Sequence, residues 1–161
     1  MRPAWLAVPL LILALSTGSV GASAATEPTA AAPAWPLLKS LNGKVVLVDF
    51  WASWCGPCLK SFPWMNELQQ KHAGEGLVIL AVNLDQERAL ADAFLNKVPA
   101  KFKVEFDPAG NIARQFDVQA MPTSFLIDRK GHVRLRHAGF KDKHRAEREK
   151  QIDQLLKEET P

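Results

Sequence analysis

The run Val45-Val46-Leu47-Val48-Asp49-Phe50 restricts the fold of this chain more than any other stretch. It is dense in β-branched and apolar residues and does not alternate with polar ones. That pattern belongs to a strand buried on both faces, as in sheets covered by helices on either side. The segments C-terminal to it fit such a sheet. Beyond a turn at Cys55-Gly56-Pro57, apolar residues at Leu59, Phe62, Met65 and Leu68 mark a helix to about His72, ended by Gly74 and Gly76. Pro57 suits a first helical turn, and Pro63 is expected to kink the middle of the helix. Residues 77–84 read as a second buried strand, and residues 86–98 as a helix with Leu90, Ala91, Phe94 and Val98 on one face. Strand, helix and strand in this order form a parallel crossover unit.

Further along, residues 102–106 read as a short strand, Asp107-Pro108-Ala109-Gly110 as a turn, and the next segment as a short helix carrying Ile112 and Phe116. Residues 123–128 and 133–139 are strands joined by a tight turn at Arg129-Lys130-Gly131, so this pair is antiparallel. A charged helix, residues 143–158, closes the chain with a buried stripe of only Ile152, Leu155 and Leu156. The order is βαβαββα with one extra strand, and there is no internal repeat. The expected class is α/β.

The N-terminus has a different character. Arg2 is the only charge before Glu27, and the apolar stretch 4–15 is shorter than the ~20 residues a membrane-spanning helix needs. Ala22-Ser23-Ala24 comes next, the small-x-small pattern behind which signal peptidases cut. Residues 1–24 are read as a cleaved export signal, with an uncleaved anchor as the alternative. Residues 25–42 are a leader and the start of the domain, flexible over 25–34 where Ala, Pro and Thr show no apolar period, and residues 43–158 are the domain proper. Export places the chain where disulfides persist.

Both cysteines of the 161 residues fall in Trp54-Cys55-Gly56-Pro57-Cys58, at the step from the first strand into its helix. Unpaired backbone N–H groups and the positive end of the helix dipole favour thiolate over thiol there. Lowering a thiol pKa from about 8.5 to about 7 is worth roughly 2 kcal/mol and brings about half of it to thiolate at pH 7. Cys55, nearer the strand end and the more exposed, is the expected nucleophile. Cys58, one turn into the helix, is the expected resolving thiol. A purely structural disulfide, a zinc site and a copper carrier are the competing readings. The first gains little from so short a loop, the second lacks two of its four ligands, and the third lacks an adjoining Met or His. A net charge of +3 is too mild and unpatterned for a chain that works by gripping nucleic acid.

The run Val48-Asp49-Phe50-Trp51-Ala52-Ser53-Trp54-Cys55-Gly56-Pro57-Cys58 resembles the active-site strand and turn of the thioredoxin superfamily. Pro63 matches its helix proline, and Met121-Pro122-Thr123 resembles its cis-proline loop. Val82-Asn83-Leu84-Asp85, Phe106-Asp107-Pro108-Ala109-Gly110 and Phe125-Leu126-Ile127-Asp128-Arg129-Lys130-Gly131 are similar to the exported TlpA/ResA branch, which carries an insertion in the central unit. The resemblance implies a thioredoxin fold, a central mixed sheet flanked by helices. It also implies dithiol/disulfide exchange with no cofactor beyond the redox-active disulfide and no metal. A cis bond before Pro122 is further implied, with Trp54, Met121, Pro122 and Thr123 contacting a bound polypeptide. Partners would be proteins with disulfides or thiols and a membrane electron donor, met by a monomer in the bacterial periplasm. Apocytochrome thiols are among the substrates the resemblance allows.

Asp49 interrupts the apolar strand six residues before Cys55. A buried carboxyl is costly unless neutralised or hydrogen-bonded, and desolvation raises its pKa towards neutrality. It matches the buried acid of thioredoxin, so it is expected to accept the proton of Cys58; the competing reading is an exposed strand-end Asp. Thioredoxin's lysine partner to that acid has no counterpart, since Ala81 stands there. The leader is also too short for the N-terminal hairpin of the TlpA branch. Nine Lys and Arg against three Asp and Glu between Arg129 and Lys150, with His132, His137 and His144 among them, read as a solvated face rather than a docking or metal site. The expected activity is reduction of protein disulfides, with an oxidant or isomerase, or a metallochaperone or holdase, as the alternatives.

Overall fold

The computed structural model describes residues 30–158, so the expected export signal lies outside the described residues. Six strands are β1 (Ala30–Ala31), β2 (Val45–Trp51), β3 (Leu77–Asn83), β4 (Lys103–Phe106), β5 (Thr123–Ile127) and β6 (His132–Ala138). The helices are α1 (Pro36–Lys39), α2 (Cys58–His72), α3 (Arg88–Lys97), α4 (Asn111–Gln115) and α5 (Arg145–Lys157). The strands form one sheet in the order β1-β6-β5-β2-β3-β4. Pairing is parallel across β2, β3 and β4 and antiparallel elsewhere. This is the α/β class with a mixed central sheet and the thioredoxin architecture.

All seven residues of β2 are buried, as its unbroken apolar run requires. Because side chains alternate across a strand, β2 feeds two cores. Val45, Leu47 and Trp51 pack with Phe62, Met65 and Leu68 of α2, Phe94 of α3 and Ile152 of α5. Val46, Val48 and Phe50 pack on the other face with Trp35, Leu38, Ala113 and Phe116. The first core is dense in aromatics: Trp51 lies 4.8 Å from Phe62 and 4.7 Å from Phe94, centroid to centroid. Asp49 has the parity of that first face, the one covered by α2, α3 and α5.

Three local expectations change. The leader is ordered from Ala30, where β1 pairs with Val133 and His132 of β6, and Trp35 and Leu38 are buried. Helix α2 contains Pro63 and ends at His72 as expected; a short 3₁₀ turn, Ala73–Glu75, follows and Gly76 closes it at φ +96°. Leu90, expected on the buried face of α3, is 47% exposed; of that helix Ala91 and Phe94 are buried and Leu95 packs partly against the core. Leu59 is likewise 46% exposed, one residue and about 100° round the helix from the fully buried Cys58. Among the described residues no helix is long and apolar enough to cross a membrane.

Candidate active site

The carboxyl end of β2 leads through Ala52 and Ser53 to Trp54 and Cys55, and Cys58 is the first residue of α2. Cys55 and Cys58 form a disulfide with an S–S distance of 2.04 Å. The Cys55 N–H donates to the Ala52 carbonyl and the Cys58 N–H to the Cys55 carbonyl, so the active-site turn is internally hydrogen-bonded before the helix begins. Cys58 has no exposed surface, whereas Cys55 retains a sliver of it. An incoming thiol or disulfide therefore meets Cys55 first.

A buried carboxylate holds this turn to the sheet. Asp85, just past β3, accepts from the Ser53 N–H at 2.8 Å, the Ser53 hydroxyl at 2.8 Å and the Asn83 side-chain amide at 2.7 Å. The Leu84 N–H adds a bond to the Trp51 carbonyl. Asp85 was legible only as part of a family motif; its role as anchor appears once β2 and β3 lie side by side. Replacing Asp85 with Ala leaves the Ser53 and Asn83 donors without their acceptor and should destabilise the oxidised protein by about 2–4 kcal/mol. Hydrogen exchange checks this, since the Ser53 amide should lose protection selectively; protection equal to wild type would show that the turn stands without Asp85.

Trp54 is 70% exposed, and with Leu59 and Leu90 it completes the set of exposed large apolar side chains among the described residues. All three flank the disulfide or the β3–α3 loop beside it. Trp54 and Leu90 line an open groove with Leu84, Asp85, Gln86 and Glu87. Sequence periodicity missed this groove because it assigned Leu90 to the core.

The peptide bond between Met121 and Pro122 is cis. Met121 is half-buried and packs against the cluster that holds both cysteines. Thr123 is fully buried and its hydroxyl donates to the Ala120 carbonyl at 2.6 Å. Its side chain thus braces the loop, and only Met121 of the expected contact residues here keeps surface to offer. Of the seven expected site residues, the structure gathers Cys55, Cys58, Met121 and Trp54 around one end of the sheet.

Asp49 lies deeper, 1% exposed, between Ala81 of β3 and Ser124 of β5 in the strand register. The Ser124 hydroxyl donates to Asp49 Oδ1 at 2.6 Å, while Oδ2 is buried with no partner. Burial pushes the carboxyl up from its ordinary 3.8 to about 7; the Ser124 hydrogen bond and the Arg148 charge pull the other way and are outweighed. Such a group can exchange a proton near neutral pH. Ser124 was not anticipated, although a Ser amid Phe, Leu and Ile on a buried strand is a visible irregularity. The described residues hold no group of three or more His, Cys, Asp or Glu able to bind a metal.

A disulfide-linked cysteine pair at the strand-to-helix turn of a mixed sheet, with a buried acid on the strand that leads to it and a cis-proline loop packed on the same core, defines a thioredoxin-fold thiol-disulfide oxidoreductase. A family model described as Redoxin matches residues 23–156. The thiol-disulfide oxidoreductase ResA of Bacillus thuringiensis is 37% identical over 124 residues, covering 77% of this chain and 68% of that protein. A solved structure described as the thiol:disulfide interchange protein DsbE of Chlorobium tepidum is 51% identical, with a TM-score of 0.73, over 74% of this chain and 84% of that one. A second, described as a protein disulfide isomerase of Bacteroides thetaiotaomicron, is 28% identical with a TM-score of 0.69 over 75% and 79%. The chain belongs to the Redoxin family and, within the thioredoxin superfamily, to the ResA-like thiol-disulfide oxidoreductases.

Proposed function

We propose that this protein is exported to the bacterial periplasm and there reduces disulfides in proteins. The observation that carries the reading is the Cys55–Cys58 disulfide set at the mouth of α2 above a buried acid on the same face of the sheet. In the reduced enzyme, the Cys55 thiolate attacks one sulfur of a substrate disulfide, and the other substrate sulfur leaves as a thiolate. Asp49 then accepts the proton of Cys58, whose thiolate attacks the Cys55 sulfur of the mixed disulfide. Substrate departs as a dithiol and the enzyme is left oxidised. Two electrons from an external dithiol, supplied by a membrane donor, return it to the start. Trp54 and Met121 provide apolar contact for the substrate polypeptide, and the backbone beside cis-Pro122 offers it strand-like hydrogen bonds. Nothing in this cycle requires more than a monomer.

The direction of exchange rests on Gly56-Pro57 between the cysteines, the pair found in thioredoxin. Equilibration against glutathione or dithiothreitol should give a reduction potential near thioredoxin's, roughly −270 mV, at about 30 mV per tenfold in equilibrium constant. Wild-type protein should also turn over insulin with a dithiol donor. A potential above about −180 mV would reassign the protein as an oxidant or isomerase. Absence of turnover with any dithiol donor would sink the enzymatic cycle itself.

A further inference from the structure

Asp49 is a buried acid whose two strand neighbours bring it no charge. Its partner across β3 is Ala81, and across β5 it is Ser124, which satisfies only Oδ1. Neither β2, β3 nor β5 carries another ionisable side chain. On α2, Cys58 is locked in the disulfide, Lys60, Glu67 and Lys71 lie off the buried face, and the buried His72 is engaged by Glu75 and Asp153. On α3 the charged side chains, Arg88, Asp92 and Lys97, are exposed, and the remaining element over this face is α5. Its Arg148 is 7% exposed, and its ordinary charge persists at every working pH.

A buried guanidinium needs a counter-charge or a full set of acceptors. One Arg148 Nη donates to the Gly139 carbonyl at 2.7 Å, and Nε is buried without a partner. Asp49 Oδ2 is the matching orphan on the acid. A narrow cavity walled by Leu47, Leu126 and Ile152 has Ser124, His137 and Arg148 in its polar lining. Arg148 and Ser124, the residue whose hydroxyl holds Asp49, thus line one small, poorly solvated space, where charges act on each other strongly.

We propose that Arg148 is the positioning residue for Asp49, supplying from the C-terminal helix the positive charge that governs when the buried carboxyl takes up and releases its proton. The arrangement takes the place of a cation on the neighbouring strand, where Ala81 leaves none. It also ties the acid to the substrate loop, because the Gly139 N–H donates to the Pro122 carbonyl at 2.7 Å while its carbonyl holds Arg148. Electrostatics runs both ways across the pair: Arg148 draws the Asp49 carboxyl down against burial, and Asp49 draws up the Arg148 guanidinium, which burial lowers. Other charges near Arg148 lie on its outer side. His137 on β6 bonds Gln151 and is pushed below its ordinary value by burial first and by Arg148 second. Arg136, His144 and Glu147 line an open cleft with His137 and Arg148.

The proposal rests on the proton-acceptor reading of Asp49, and the experiment separates the two. The Asp49 carboxyl carbon is titrated by NMR in the purified disulfide form of wild type, Arg148→Met and Arg148→Lys. Loss of the charge should raise the midpoint by about one pH unit, as expected for removal of a nearby opposite charge, and Lys should restore it. In wild type the Arg148 Nε resonance should step at the Asp49 midpoint, and that step should vanish in Asp49→Asn. This second measurement decides the matter if Arg148→Met does not fold. An unmoved midpoint in folded Arg148→Met, or an Arg148 Nε without an Asp49-dependent step, overturns the proposal. The pH profile of mixed-disulfide resolution, followed by stopped flow, should shift with the midpoint. A midpoint that moves while that profile stays leaves the Arg148 coupling intact and removes Asp49 from proton transfer.

Discussion

Cys55→Ser should reduce insulin-disulfide turnover by at least about 10³-fold, the order of loss seen when a covalent nucleophile is removed. Cys58→Ala should lose turnover as completely, yet by a different route. With Cys55 intact, the first exchange still proceeds: its thiolate displaces one substrate sulfur and retains the other. With Cys58 gone, nothing inside the chain can release that adduct, because the sequence holds no third thiol. Cys58→Ala should therefore accumulate mixed disulfides, visible as mass-shifted bands on non-reducing gels of cell extracts, whereas Cys55→Ser should not. The asymmetry stems from exposure, since Cys55 reaches the surface and Cys58 does not. Adducts on Cys55→Ser but none on Cys58→Ala would reverse the assignment of nucleophile and resolving thiol. The trapped proteins would also show which substrates the enzyme meets and whether an electron donor is among them.

What the sequence disclosed and what it hid have physical reasons. Strand β2 was legible because burial on both faces leaves no polar position to confuse its period, and the single exception, Asp49, stood out for that reason. The dithiol turn was legible because spacing alone places both sulfurs at a helix entrance. Strand β1 was not: Ala30 and Ala31 have no β preference, and only the free edge of β6 makes them a strand. Leu90 has a core residue's chemistry and a helix-face spacing, but it sits where α3 emerges beside Trp54, and no local pattern records that. Arg148 hid in the basic run that reads as solvent-exposed. Its spacing carried a signal, since residues 148, 152, 155 and 156 fall at i, i+4, i+7 and i+8, one stripe of a helix. A charged residue in the apolar stripe of an otherwise polar helix is either an error of register or a buried partner to something, and here the partner lies on β2.

Asp49→Asn should make the oxidised protein more stable at pH 8 than wild type, by about 2–4 kcal/mol, and should leave it no more stable at pH 4. In the folded protein the carboxyl titrates near 7, against an ordinary 3.8 when unfolded. Below pH 4 both states carry the proton and Asp49 is neutral to stability. Between about pH 4 and 7 the unfolded chain ionises while the folded one keeps its proton, so stability falls as pH rises. Above the folded midpoint both are ionised and the loss levels off. Three pKa units correspond to about 4 kcal/mol. Asn has the same shape, still accepts from Ser124 through its Oδ1, and has no charge to desolvate. Some of the gain is offset because Arg148 then loses its counter-charge, which places the expectation below the full figure. Urea unfolding of the two disulfide forms from pH 4 to 8 isolates this carboxyl, because every other titrating group is common to both. A wild-type-minus-variant difference that stays flat across that range would show that Asp49 carries no raised proton affinity. A slope confined to that window would show that the chain accepts a stability loss at neutral pH to keep, beneath Cys58, an acid that can be both charged and neutral there.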